Sequence, residues 1–399
     1  MKNISMAAIV CFLSLSLLGQ DIEVTCDQWK ADIAFYKSKL KERHANLYHT
    51  ISPNQFNAKI GELEKNVCSL EDQQVIVGLS EITASIRDGH TYLHPGNQRK
   101  WKFKQMPVRL ELFDDGLFVI AADEANKNLI GKKLTAIDST PVEKITPKIR
   151  MIGYRENEST AKLSIPRFII YPEVLKYFGF IESGETINAS FASKAGVLEK
   201  RLLIPQIASK IKWVGFTESQ TDLPLVYRRN KEIYWFELLP EKELLYLQFN
   251  SHSEDKNHQF ARLTSELISK IDSQKPKKFV IDLRRNLGGN SSLTFPIISV
   301  LSHFERTVPD GQIFIIISRA TYSASLVFLS EAKRFADPLL LGEPTGVAPN
   351  LYTENGYLLT LPNSKVEVSY SSMFFQFYNF LFHNVLQFHS QNYQSYFLA

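Results

Sequence analysis

The sequence predicts an α/β protein whose C-terminal half is a largely parallel sheet covered by helices. From about residue 230, short continuous apolar runs alternate with amphipathic helical stretches, and such repeated β-α-β units bury their strands on both faces. Two other textures precede this half: helical spacing over residues 27 to 87 and short β-like runs from about 101 to 225. At 399 residues the chain exceeds what one ordinary core fills, so two or three packed units are expected.

At the N-terminus, Lys2 supplies a positive charge and Met6 to Leu18 form an almost unbroken apolar run, after which Gly19 leads into the polar Gln20 and Asp21. This is the layout of a signal peptide over residues 1–20, and an N-terminal core helix is the competing reading. The run is shorter than the roughly 20 apolar residues a membrane span needs, so no stable span is expected in the mature chain. Cys11 lacks the small-residue context of a lipoprotein acceptor. A secreted, periplasmic or extracellular protein is therefore expected. Removal of the leader leaves Cys26 and Cys68. A disulfide joining the first and third predicted helices and a pair of buried free thiols both remain open.

Residues 21–98 read as a helical region. Trp29, Ile33, Tyr36 and Leu40 recur at helical spacing, as do Phe56, Ile60 and Leu63, and then Val75, Leu79, Ile82 and Ile86. Ser52 before Pro53 is a candidate N-cap. Asp88-Gly89 ends the last helix and leaves His90 immediately after it.

Residues 99–225 read as a β-rich module. Val108 to Phe113, Leu117 to Ala121 and Lys133 to Ile137 are strand candidates, with Asp114-Asp115-Gly116 as the hairpin turn between the first two. The segment from Gly131 to Val142 resembles the strand–turn–strand of a PDZ domain, with no clear carboxylate-binding loop before it, so the module is a degenerate one.

Residues 226–370 carry the α/β pattern. Leu244 to Phe249, Phe279 to Leu283, Ile313 to Ile317 and Leu339 to Leu341 are strands. The stretch bearing Phe260, Leu263, Leu267 and Ile271, then Leu293 to Leu301 and Ala324 to Arg334, are helices. Sites in such sheets gather where strands end and helices begin.

Three segments with that placement carry reactive side chains or backbone. The turn Asp282-Leu-Arg-Arg-Asn-Leu-Gly-Gly-Asn290 follows a buried strand, and Gly288 and Gly289 either expose amides to an anion or simply make a tight turn. Ser323 sits between a strand and a helix, where it is either a nucleophile at a helix N-terminus or an ordinary N-cap. His90 follows a tight turn and is either a base or a surface residue. A zinc site through His90 and His94 is excluded, because Gly89 and Pro95 oppose a helix here and no Glu lies between the two.

Asp-Gly-His-Thr at 88–91, Asp-Leu-Arg-x-Asn-x-Gly-Gly at 282–289 and Thr-x-Ser-Ala at 321–324 resemble, in that order, the tail-specific (C-terminal processing) peptidase family. Gly342-Glu-Pro-Thr-Gly346 and Leu361-Pro-Asn-Ser364 extend the likeness, which spans roughly residues 75 to 370. The resemblance implies a crotonase-like spiral sheet core preceded by a PDZ-like module and a helical N-terminal region. One branch of the family places a Lys just after the Gly-Glu-x-Thr stretch, but Thr345 to Asn350 contain none. His90 matches the base of the other, tricorn-like branch. Ser323 as nucleophile and His90 as base are then implied, with oxyanion donors from Ala324 and from Gly288 or Gly289. Asp282 and Arg284 brace the loop.

A His base needs an acid to fix its tautomer. In the tricorn-like branch a Glu after the last core strand serves. Here Glu367 is the last acidic residue, and residues 368 to 399 hold no Asp, Glu, Lys or Arg but many Phe and Tyr. Residues 371–399 read either as a truncated or frame-shifted end that has lost the acid, the preferred reading, or as an apolar tail for a partner or membrane. Glu343 and Glu354 are the nearest substitutes.

The expected function is serine-type hydrolysis of peptide or protein substrates. The alternative is a weak or inactive relative that binds peptides or apolar ligands. A charge of +4 from 46 basic and 42 acidic side chains gives no field for nucleic acid. No metal, nucleotide or flavin motif appears, so no cofactor is expected.

Overall fold

A computed structural model describes residues 23–98, 100–215, 223–229, 231–353 and 357–376. The leader, Glu354 and residues 377–399 of the aromatic stretch lie outside the described residues.

Three helices open the chain: α1 (Cys26–Arg43), α2 (Pro53–Asn66) and α3 (Asp72–Ala84). Thr25 and Ser52 cap the first two through capping boxes, and Pro53 occupies the first turn, where its missing N–H costs nothing. A Cys26–Cys68 disulfide, with the Cα atoms 5.0 Å apart, ties the start of α1 to the turn between α2 and α3 rather than to a third helix.

An antiparallel sheet follows, in the order β1 (Val108–Phe113), β2 (Gly116–Asp123), β3 (Lys133–Ile137), β4 (Ile187–Ala192) and β5 (Leu198–Leu203). Between β3 and β4 the chain forms three helices that the β-like texture did not predict: α4 (Val142–Ile149), α5 (Glu158–Phe168) and α6 (Pro172–Tyr177). Their buried residues join those of α1 to α3 and of the sheet in one continuous apolar core.

The second sheet runs β6 (Tyr234–Leu239), β7 (Leu244–Phe249), β8 (Lys278–Asp282), β9 (Gln312–Ile317) and β10 (Leu339–Gly342). β6 is antiparallel to β7, and the other pairings are parallel. Helices α7 (Phe260–Gln274), α8 (Thr294–Thr307) and α9 (Ala324–Phe335) make the crossovers. The strands follow one another in chain order, and the buried residues of all three helices share one apolar core with the sheet, as right-handed crossovers in one direction require. Phe249, Phe279, Phe304 and Phe328 are fully buried between sheet and helices, each contributing roughly 1.5–3 kcal/mol of apolar transfer. Asp282 pairs with Ile316, and Ile317 with Gly342, so the strand C-termini align and their turns stand side by side.

The last described segment crosses back to the N-terminal helices. Tyr92 and Ser369 exchange backbone hydrogen bonds, Ser371 O accepts the Ala45 amide, and Asp32 receives the amides of Asn363 and Ser364. This strap fastens the loop after α3 to the body of the molecule. Residues 371–376 belong to it, with Met373–Gln376 pairing antiparallel to Asn350–Thr353.

Candidate active site

β9 ends at Ile317, and the turn that follows is held against the neighbouring strand end from several sides. Ser318 Oγ donates to Arg284 O at 2.7 Å, Thr321 Oγ1 to Leu283 O at 2.9 Å, and the Tyr322 amide to Asn286 O at 3.0 Å. Ser323 emerges with φ 53° and ψ −118°, directly before α9. A non-glycine residue in that region is strained, and the surrounding bonds impose it. The Ser323 side chain does not cap α9. Its Oγ lies 3.0 Å from His90 Nε2, which displaces the ordinary-cap reading.

His90 stands on the loop after α3, where Asp88 organises the backbone. Asp88 Oδ1 accepts the His90 amide at 3.0 Å, and Oδ2 accepts Thr91 Oγ1 at 2.7 Å. Buried His44 completes the shell, with Nε2 3.0 Å from Asp88 Oδ2 and Nδ1 accepting the Asn46 amide at 3.0 Å. That pattern places the His44 proton on Nε2, pointing at Asp88. Burial acts to raise the Asp88 carboxyl, yet hydrogen bonds from His44 and Thr91 outweigh it and hold the group at about 2.

On the other side of the His90 ring lies a carboxyl group that sequence reasoning missed. The Tyr322 hydroxyl is 3.4 Å from His90 Nδ1 and donates to Glu156 Oε2 at 2.9 Å. Glu156 Oε1 accepts the Ala348 amide at 2.6 Å. Burial pushes the Glu156 carboxyl up to about 7; the Ala348 and Tyr322 hydrogen bonds oppose the shift, and the charge of Asp88 adds to it. Gly89 makes room for the pair, since a Cβ there would stand 1.8 Å from the Tyr322 hydroxyl and 2.7 Å from Glu156 Oε2.

Of the substitute acids expected from sequence, Glu343 is committed elsewhere. Arg319 donates to it through Nε at 2.7 Å and through Nη2 at 2.5 Å, and this pairing lowers its pKa. Arg319 also reaches Leu112 O at 3.0 Å, so the pair fastens the Ser323 turn to β1. Glu156 is the carboxyl group linked, through Tyr322, to the His90 ring.

The glycine turn contributes backbone. Gly288 (φ 100°) lies so close to the Ser323 turn that a Cβ would meet Ser323 Cβ at 2.7 Å and the Ala324 nitrogen at 2.9 Å. Its own amide is spent on Asn286 Oδ1 at 2.9 Å, which removes it as an anion donor. The amides of Gly289 and of Ala324, the first residue of α9, have no hydrogen-bond partner among the described residues. Asp282 is buried and receives the Arg284 amide at 2.9 Å, its Nη2 at 2.6 Å and the Tyr246 hydroxyl at 2.8 Å. That makes it a brace under the turn. A cavity of about 280 Å³ opens over Ser323 and His90, with Tyr92, Tyr154, Leu163 and Leu287 among its walls.

No protein-family model matches the chain, and no curated protein does. Solved structures do. Mature CPAF complexed with lactacystin is 11% identical over 87% of this chain and 90% of its own, with a TM-score of 0.60. Mature CPAF alone is 10% identical over 88% and 91%, also at 0.60. The photosystem II D1 C-terminal processing protease is 12% identical over 88% and 89%, at 0.39. These neighbours are tail-specific proteases, serine peptidases of the S41 type, and the chain shares the mixed α/β fold of CPAF.

Proposed function

We propose that the chain is a serine-type endopeptidase acting on exported peptide or protein substrates, with Ser323 as nucleophile and His90 as base. The observation that carries this reading is the 3.0 Å approach of Ser323 Oγ to His90 Nε2, made by residues 233 positions apart. The strained backbone at Ser323 and the fold shared with CPAF support it.

His90 Nε2 takes the Ser323 proton as Oγ attacks a substrate carbonyl, and the imidazolium returns that proton to the leaving amine. Water then attacks the acyl-enzyme by the same route, giving its proton to His90 and restoring Ser323. Nε2 is an acceptor only while the imidazole proton sits on Nδ1. The Tyr322 oxygen is placed to accept from Nδ1, because its own proton is directed to Glu156. Ionised Glu156 also offsets the positive charge that develops on His90. The oxyanion is received by the amides of Gly289 and Ala324 at the positive end of α9, while Gly288 shapes the turn.

The parallel strands, wound in one direction with helices on one face, support a crotonase-like core, and the antiparallel sheet of β1 to β5 a degenerate PDZ-like module. Export is supported by the apolar run before Gln20 and by the Cys26–Cys68 disulfide, a bond that persists in oxidising compartments. Incubating the purified chain with unfolded casein, and reading new peptides by mass spectrometry, tests the activity. Cleavage that disappears in Ser323→Ala and His90→Ala is expected. Equal cleavage by Ser323→Ala would sink the reading.

A further inference from the structure

We propose that Arg167 is a substrate-recognition residue of this site, and that the pocket over Ser323 takes a substrate carboxylate beside an apolar side chain. That carboxylate is either an Asp or Glu side chain or the C-terminal carboxylate of the substrate. The inference rests on the peptidase reading above and specifies its substrate class.

Thr160, Leu163 and Arg167 stand at positions i, i+3 and i+7 of α5, the spacing of one helix face, and all three line the cavity that holds Ser323 and His90. At about 280 Å³ the cavity is at the small end for ligand sites, suited to one side chain or a chain end. Leu163 and Leu287 supply apolar surface, and Arg167 brings a guanidinium to the same space.

Arg167 is the one arginine among the residues lining this cavity, and two arginines on the adjoining turns are neutralised by carboxylates. Arg284 is paired with Asp282 and Arg319 with Glu343. Arg167, only partly exposed, forms no ion pair among the described residues. Its charge is felt nearby: after burial, it is the next influence pushing His94 down to about 4, and it counters the burial that raises Glu111. Glu111 nonetheless does not come within ion-pair distance of it. A partly buried, uncompensated guanidinium gains most from a ligand carboxylate, which it holds with two parallel hydrogen bonds.

The test uses the full chain and a synthetic peptide library randomised on both sides of a central bond. The library is made once with free C-terminal carboxylates and once with C-terminal amides, and cleavage is read by mass spectrometry. Fluorophosphonate labelling of Ser323 is measured in parallel for wild type, Arg167→Gln and Arg167→Lys. Cleaved peptides should be enriched about ten-fold or more for the carboxylate, the factor that corresponds to the lower end of a hydrogen bond to a charged group. Arg167→Gln should erase the enrichment with labelling retained, and Arg167→Lys should keep part of it. Enrichment for Asp or Glu in both libraries assigns the carboxylate to a side chain, and enrichment only with free ends assigns it to the terminus. Wild type that labels at Ser323 but cleaves acids and amides alike, or a preference that survives Arg167→Gln, overturns the role of Arg167 and leaves the peptidase reading standing. Loss of both labelling and cleavage in wild type overturns the peptidase reading, and this inference with it.

Discussion

Tyr322 donates its hydroxyl to Glu156 at 2.9 Å while the same oxygen stands 3.4 Å from His90 Nδ1. A carboxyl group 166 positions before Tyr322 therefore reaches the ring of His90 through the residue that precedes Ser323. Tyr322→Phe removes the link with little change of volume. We expect kcat/KM to fall about 10²- to 10⁴-fold, the scale of general-base catalysis and of a lost tautomer-fixing contact. Steady-state cleavage of a fluorogenic peptide checks this.

The raised carboxyl of Glu156 links activity to stability. Its folded pKa of about 7 exceeds the ordinary 4.5, so the folded chain binds the proton more tightly than the unfolded chain does. Stability should therefore fall as pH rises from about 4.5 to 7. Glu156→Gln resembles the protonated form, so its Tm should match wild type at pH 5 and exceed it at pH 8. Its activity should be lower at pH 8, where wild type is ionised. Thermal melts and rate measurements at the two pH values check both signs.

Asp88 runs the other way. Held at about 2 against an ordinary 3.8, it contributes stability above pH 4 that is lost as pH falls toward 2. Asp88→Asn leaves His44 and the His90 amide without a charged acceptor, at a cost of about 2–3 kcal/mol at pH 7. Urea unfolding at pH 7 and at pH 2 should show that difference shrink as wild type becomes protonated.

Gly89→Ala should separate folding from catalysis. The added methyl meets the Tyr322 hydroxyl and Glu156 Oε2, so the pair must move away from His90. Displacement of about 1 Å at such a site costs roughly 100-fold in rate. Circular dichroism close to wild type with kcat/KM reduced on that scale is the expected result.

The Cys26–Cys68 bridge spans a sequence separation of 42. Closing a loop of that length is worth about 4 kcal/mol in the chain-entropy account. Paired Cys26→Ser and Cys68→Ser substitutions, or reduction of wild type, should lower the urea midpoint accordingly.

Much of this architecture is legible in the residues. The strands around Leu244, Phe279 and Ile313 and the helix after Ser323 stand out because continuous apolar runs and amphipathic spacing report burial directly. Helices α4 and α5 do not, since each carries an internal proline, Pro147 and Pro166, and their surroundings have a β-like texture. Ser323 and His90 stand out only through the ordered motifs at 88–91, 282–289 and 321–324, since each alone also fits an ordinary cap or surface residue. Glu156 does not, because nothing near it in the chain marks a site. Its role comes from Gly89, Tyr322 and Ala348, which meet it only in the fold. Glu343 is expected as a substitute because no acid follows Glu367, yet Arg319 captures it in the fold.

Fluorophosphonate labelling of the purified chain, with mass spectrometry of the modified peptide, tests Ser323 as an activated nucleophile. One adduct is expected, on Ser323, lost in Ser323→Ala and His90→Ala and slowed in Glu156→Gln. A folded chain that takes up no probe at Ser323, or labelling that persists undiminished in His90→Ala, would contradict it.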